Sequence, residues 1–259
     1  MAAAALLDSL YQAVLTRTDA VIDGIPVPAA VLTTSSDTHR ELVQWLWGVQ
    51  LADGSRALTT AGRWRDAEDR LRRHNGIGRR MLDGRQVAVL ARAISGDRAE
   101  ALHLLAETQP GEPWEAAVAA CLTALVLPTD LALLVDNVEM MVTRYRSLRP
   151  EPTLAVFRTR LGLAIIDAIN KPDDPMTRNI ARDLIREVLD YGDGYAARDV
   201  LSHHSSVAVG TSDQAHGLST VVEASGLGRP LPELAIHRLE TALATSKAVI
   251  VNSLSATAA

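Results

Sequence analysis

Proline divides this 259-residue chain at intervals that suit helices and little else. Its prolines fall in close pairs (Pro26/Pro28, Pro110/Pro113, Pro150/Pro152, Pro172/Pro175, Pro230/Pro232), with Pro128 alone. A proline ring fits the first turn of a helix and disfavours helical geometry at the residue before it, so each pair marks a corner. The stretches between corners have helical length. Aromatic residues make up only 3% of the chain against 47% apolar residues in all, so Leu, Val, Ile and Ala must fill the core. Ala and Leu lose little side-chain freedom in a helix. The fold class that follows is all-α, with stacked antiparallel helical hairpins of the helical-repeat or multi-helix-bundle kind.

Apolar spacing places the individual helices. Between Thr129 and Leu148, the residues Leu131, Leu134, Val135, Val138, Met141, Val142, Tyr145 and Leu148 follow three-four spacing, with Thr129 and Asp130 as N-cap oxygens. Residues 153–170 are apolar nearly all round, which predicts a helix surrounded by others. Asp174-Pro175 opens the next helix, which stops at Gly192. Thr38-x-x-Glu41 has the capping-box pattern and predicts a helix ending at Asp53-Gly54. An N-terminal helix over about 3–23 and a last one from Pro232 to Leu254 complete the set. Residues 24–35 are the one place where an extended segment fits, and 192–228 are the least periodic. The organisation expected is N-terminal helices over 1–54, paired helices over 55–127, a C-terminal bundle over 128–254 packed on them as one continuous domain, and a fraying tail at 255–259.

One internal echo stands out. Ala61-Gly-Arg-Trp-Arg-Asp-Ala-Glu-Asp-Arg-Leu71 superposes on Ser95-Gly-Asp-Arg-Ala-Glu-Ala-Leu-His-Leu-Leu105 at an offset of 34, matching Gly62 to Gly96, Ala67 to Ala101 and Leu71 to Leu105. A glycine ends one helix, a small residue lets the next pack closely, and an apolar residue follows one turn on. This resembles the second helix of a tetratricopeptide repeat, whose period is 34 residues. In the second unit Val87, Leu90, Ala91 and Ile94 stand at the spacing of that repeat's first helix. The resemblance covers residues 55–127. The first unit's leading helix is interrupted by Asp53-Gly54, and the period is lost beyond Pro128.

Charge and cysteine usage narrow the function. A net charge of −5 argues against a chain that wraps nucleic acid. All cationic residues but Lys171 and Lys247 are arginine, a bias of high-GC bacterial coding. Cys121, the only cysteine, lies in an apolar run and reads as a small buried hydrophobe, compatible with a reducing cytoplasm. The N-terminus lacks a basic region and reads as no signal peptide, and no apolar stretch approaches a membrane span.

The strongest charge feature lies between Arg56 and Arg85, where nine arginines stand among four acids. Guanidinium forks match planar oxyanions, so Arg63 and the adjacent Trp64 are candidates for binding acidic groups. The alternative is a solvated face laced by pairs such as Asp66–Arg70 and Asp69–Arg73. The tetratricopeptide resemblance implies that Arg85 and Arg92, seven residues apart on one helix face, line a groove that holds extended peptides. His203-His204 with Asp199 and His216 lacks the helical spacing of zinc ligands, Asp173-Asp174 reads as a helix cap, and Ser205 and Ser206 beside His204 form no recognised nucleophile motif. No catalytic residue, metal site or cofactor is assigned. The expectation is a non-enzymatic helical scaffold for a protein or peptide partner carrying acidic groups. The alternatives are an all-α enzyme or small-ligand sensor with a pocket roofed by 192–228, and a self-assembling homo-oligomer anchored by Trp45, Trp47 or Trp114.

Overall fold

The structure, a computed structural model, describes residues 2–22, 24–127 and 131–257. It is all-α, with one two-stranded hairpin among the described residues. Helix α1 (Ala2–Thr16) is shorter than its composition suggests. Its chain reverses where Arg17 takes a φ of +56° and the Thr18 amide bonds back to the Ala13 carbonyl. Strands β1 (Ala20–Ile22) and β2 (Ile25–Val27) then pair antiparallel, Ala20 opposite Val27 and Ile22 opposite Ile25. The extended segment expected over 24–35 thus begins earlier, inside the stretch read as helix. The Asp23-Gly24 dipeptide between the strands is a strong hairpin signal that outweighs the helical composition around it.

Helix α2 (Ser36–Val49) is capped by Ser35, whose hydroxyl accepts from the Thr38 amide, and Thr38 completes the box. The capping box therefore sits three residues before the Thr38–Glu41 pattern that suggested it. Asp53-Gly54 does not end the helix either. The chain passes through a π-helical turn, Gln50–Gly54, straight into α3 (Ser55–Thr60). A Cβ on Gly54 would stand 2.6 Å from the Arg70 guanidinium, so glycine is needed there for close approach.

The pairs α3/α4 (Trp64–Arg73) and α5 (Asp83–Ile94)/α6 (Arg98–Ala106) repeat each other in backbone detail. Gly62 and Gly96 have φ of +73° and +84°, and the residue after each sends its amide five residues back, Arg63 to Leu58 and Asp97 to Arg92, at 2.9 Å in both. This is the Schellman ending of a helix. Ala67 and Ala101, 34 residues apart, are both completely buried at the crossing. Neighbouring helices pack on one another from α3 through α7 (Pro113–Val126) to α8 (Leu131–Ser147).

The largest core lies under α5–α10. Met141, Val142, Tyr145 and Leu148 of α8 are buried as the spacing requires, whereas the N-cap expected at Thr129 and Asp130 lies outside the described residues. Helix α9 (Ala155–Ile169) is buried on most sides, with Leu161, Ile165 and Ile166 inside and Arg160 and Asp167 on an exposed edge. It crosses α10 (Pro175–Tyr191), whose Ile180, Leu184 and Ile185 are almost wholly buried. Each such side chain contributes roughly 1.5–3 kcal/mol. Cys121 is buried in this core, and desolvation pushes its thiol up to about 12. Residues 192–228 are helical too: α11 (Gly194–Ser202) and α13 (Ser212–Ala224) close a second core with α10, and the single turn α12 (His204–Val207) packs on α10 and α11. Through Val249, no described side chain of the last helix, α14 (Glu233–Thr257), joins any of these cores. No helix among the described residues is long and apolar enough to cross a membrane.

Candidate functional site

The arginine-rich segment folds into α3, α4, the loop 74–82 and the start of α5, and its cations divide sharply by environment. Arg70 points inward. It is 2% exposed, donates to Asp8 Oδ2 of α1 at 2.6 Å, and reaches the carbonyls of Ala4 and Gln50 at 3.4 Å each. The buried Gln50 amide donates to the other Asp8 oxygen at 2.5 Å and lies 3.0 Å from Nε2 of His74. Asp8, Arg70, Gln50 and His74 thus form one polar network between α1, the π turn and α4. Because Arg70 is drawn to Asp8, the surface pairs differ from the four-residue ladder expected: Asp66 pairs with Arg63 at 2.6 Å, and Asp69 with Arg72 at 3.5 Å.

His74 is held below its ordinary value of 6.5 by burial and by the Arg70 charge, with Asp8 opposing and Arg73 adding to the effect. Its ring meets Tyr11 edge-on, and its carbonyl accepts from Trp47 Nε1. A neutral Nε2 can accept from Gln50; a protonated one cannot. Lowering the folded-state pKa means that the unfolded chain binds the proton more readily, so stability rises with pH through the window between the folded value and 6.5 and falls as His74 is protonated. Urea midpoints measured from neutral to mildly acidic pH are expected to decline in wild type across that window. His74→Gln should lack that part of the slope, and an unchanged slope would remove His74 as its source.

An open cleft of about 630 Å³ lies over this network, with Ala4, Ala5 and Leu58 among its lining and Arg63, Arg72 and Arg73 around it. Trp64, the first residue of α4, lines a separate pocket of about 190 Å³ with Ser55, Asp83 and Gln86. Arg63 and Trp64 therefore serve different cavities despite being adjacent in sequence.

Arg85 and Arg92 are both on α5, but the structure does not bring them to one open groove. Arg85 is 4% exposed and donates to the carbonyls of Gly78 at 2.8 Å and Leu104 at 2.5 Å and to the Thr108 hydroxyl at 2.9 Å. It pins the loop 74–82 to the end of α6. Buried Glu115 of α7 holds the same loop, accepting from Arg80 and from the Met81 amide at 3.1 Å, and the bonded Arg80 guanidinium holds its carboxyl below the usual range. Arg92 is half-buried and donates to Glu68 at 2.8 Å, tying α5 to α4. Sequence spacing showed the shared helix but not which side of it the neighbouring loop would cover.

The histidine cluster resolves into a cap. His203 Nδ1 accepts from the Ser206 amide at 3.3 Å and lies 2.9 Å from the Ser206 hydroxyl, while Nε2 meets Asp167 at 2.9 Å. The order Asp167–His203–Ser206 is that of a catalytic triad, yet Ser206 is completely buried. A cleft beside this cap is lined by His203, Asp167, Arg160 and Asp199 but not by Ser206. Asp199 pairs with Arg160 at 2.7 Å, and Asp174 caps α10 through the Met176 amide at 2.8 Å. No group of three metal-ligating side chains occurs among the described residues. No protein family, curated protein or solved structure matches this chain, so its chemistry is read from its own geometry.

Proposed function

We propose that this chain is a non-enzymatic helical scaffold that docks another protein through its N-terminal unit, with residues 55–127 acting as a tetratricopeptide-like stack of hairpins behind it. The observation that carries this reading is where large apolar side chains face solvent. Val21, Ile25, Val31 and Leu32 of the hairpin and the turn after it, and Trp45 of α2, are all exposed, Trp45 at 62%. They surround a small core of Val14, Ala20, Ala29 and Leu46, which holds the unit in shape without using them. Exposed apolar side chains gathered on one unit mark interaction surfaces, and tryptophan is the commonest anchor of such surfaces. The identical Schellman turns at Gly62 and Gly96 support the repeat component, and Arg63, Arg72 and Arg73 around the neighbouring cleft suit acidic groups on the partner.

The test is affinity capture of the tagged chain with quantitative mass spectrometry, comparing wild type with Trp45→Ser/Val31→Ser and with Arg63→Glu/Arg72→Glu. The first variant is expected to lose the main partner and the second to weaken it. A partner profile unchanged by Trp45→Ser/Val31→Ser would remove the docking surface.

A second reading, a small-ligand sensor, rests on Ser55. Its hydroxyl is buried without a hydrogen-bond partner beside the pocket shared with Trp64, Asp83 and Gln86. A metabolite that raises the melting temperature of wild type but not of Ser55→Ala would favour it.

A further inference from the structure

Helix α14 is 25 residues long, about 37 Å at 1.5 Å per residue, yet from Leu234 to Val249 every side chain except that of Ala235 is exposed. Helices owe most of their stability in water to packing of an apolar face, and this one carries Thr241, Thr245 and Val249, which favour helix weakly. It does have such a face. At 100° per residue Ala235, Ile236, Leu239, Ala242, Leu243 and Val249 fall within a sector of about 140°, interrupted by the small Ser246 alone and as wide as the buried face of a packed helix. Leu239 and Leu243, near its middle, are 51% and 61% exposed.

The charges beside the stripe identify what covers it. Glu240 and Lys247 border the same edge, two turns apart, and Leu243 and Ala244 lie midway between them. A second α14 laid antiparallel about that midpoint sets Glu240 of each copy against Lys247 of the other, twice over. A parallel pair would lay that edge against the opposite edge of its partner, which carries Ala235, Ala242 and Val249, so Glu240 and Lys247 would meet no opposite charge there. Lys247 is one of only two lysines in the chain, so this complementarity is not the by-product of a lysine-rich surface. We propose that α14 is a self-association element, pairing antiparallel with α14 of a second copy of this chain through Ile236, Leu239 and Leu243, with Glu240–Lys247 pairs setting the direction. This is independent of the N-terminal docking surface, which lies on other elements.

Sedimentation over a concentration series tests it on the full chain. Wild type is expected to reach twice the chain mass, and Leu239→Glu/Leu243→Glu to remain a monomer with the melting temperature of its helical body retained, because neither Leu239 nor Leu243 belongs to a core. Lys247→Glu should weaken the dimer roughly two- to tenfold, with Glu240→Lys/Lys247→Glu restoring it. Cys121 is buried, so introduced cysteines report cleanly: Leu243→Cys, beside the two-fold, should cross-link on oxidation and Ile236→Cys should not. A wild-type monomer at every concentration, a dimer that survives Leu239→Glu/Leu243→Glu, or cross-linking through Ile236→Cys in preference to Leu243→Cys would each overturn the proposal.

Discussion

Arg158→Ala is expected to lower folding stability by about 3–5 kcal/mol, the largest single effect in the chain. Arg158 is 5% exposed on α9 and binds Glu187 of α10 through two bonds, Nε at 3.1 Å and Nη2 at 3.0 Å. Its third nitrogen donates to the Leu148 carbonyl at 2.6 Å, just beyond the end of α8, and its guanidinium lies 4.9 Å from the centre of the Tyr145 ring. One side chain thus ties three helices, and removing it strands the Glu187 carboxylate and the Leu148 carbonyl where little water reaches. Urea unfolding monitored by circular dichroism measures the loss. Replacing both partners, Arg158→Met/Glu187→Leu, should recover most of it, because the penalty lies in the unpaired charge. A loss below about 1 kcal/mol for Arg158→Ala would mean that Glu187 finds water, and the pair would then count as a surface one.

The second large effect is Arg70→Ala, expected to cost about 2–3 kcal/mol. The figure is smaller because the Asp8 side chain stays 40% exposed and can turn to solvent when its partner goes. The damage should be local. Arg70 binds Asp8 and the Ala4 carbonyl, so its loss frees α1 from α4, and Gln50 is left to hold Asp8 alone. Hydrogen exchange should therefore speed up in α1 and the π turn well before α9 and α10 respond. Uniform acceleration across all helices would show that the network supports global folding and not the attachment of one helix. Arg63→Ala, on the rim, should leave the same amides unchanged.

The arginine segment shows where sequence reasoning stops. Nine arginines among four acids are visible in the chain, and each is compatible with a solvated face or an anion site. Arg70 and Arg85 are neither. They became buried because elements remote in sequence, α1 and the end of α6, deliver a carboxylate and carbonyls to them. A guanidinium five bonds from its backbone can reach any of several partners, and local spacing does not choose among them. Asp23-Gly24 is a different case: its hairpin signal is local and legible in the chain, and it prevails over the helical composition around it. Likewise Ser35, and not Thr38, caps α2, because both hydroxyls fit the pattern and only the chain's path before the helix selects one.

What the sequence by itself determined is the helical order of the chain: the corners at proline pairs, the stripes of α8 and α10, the burial of α9 on most of its faces, and the 34-residue echo that returns as two matching turns at Gly62 and Gly96. These follow from φ restrictions and apolar periodicity, which act within a few residues. Tertiary structure alone decided which cations are pins and which are surface, that Asp53-Gly54 would be carried through a π turn to make room for Arg70, and that the apolar stripe of α14 from Ala235 to Val249 would face solvent. Those outcomes depend on groups brought together from distant parts of the chain, where desolvation and hydrogen-bond satisfaction outweigh local preference.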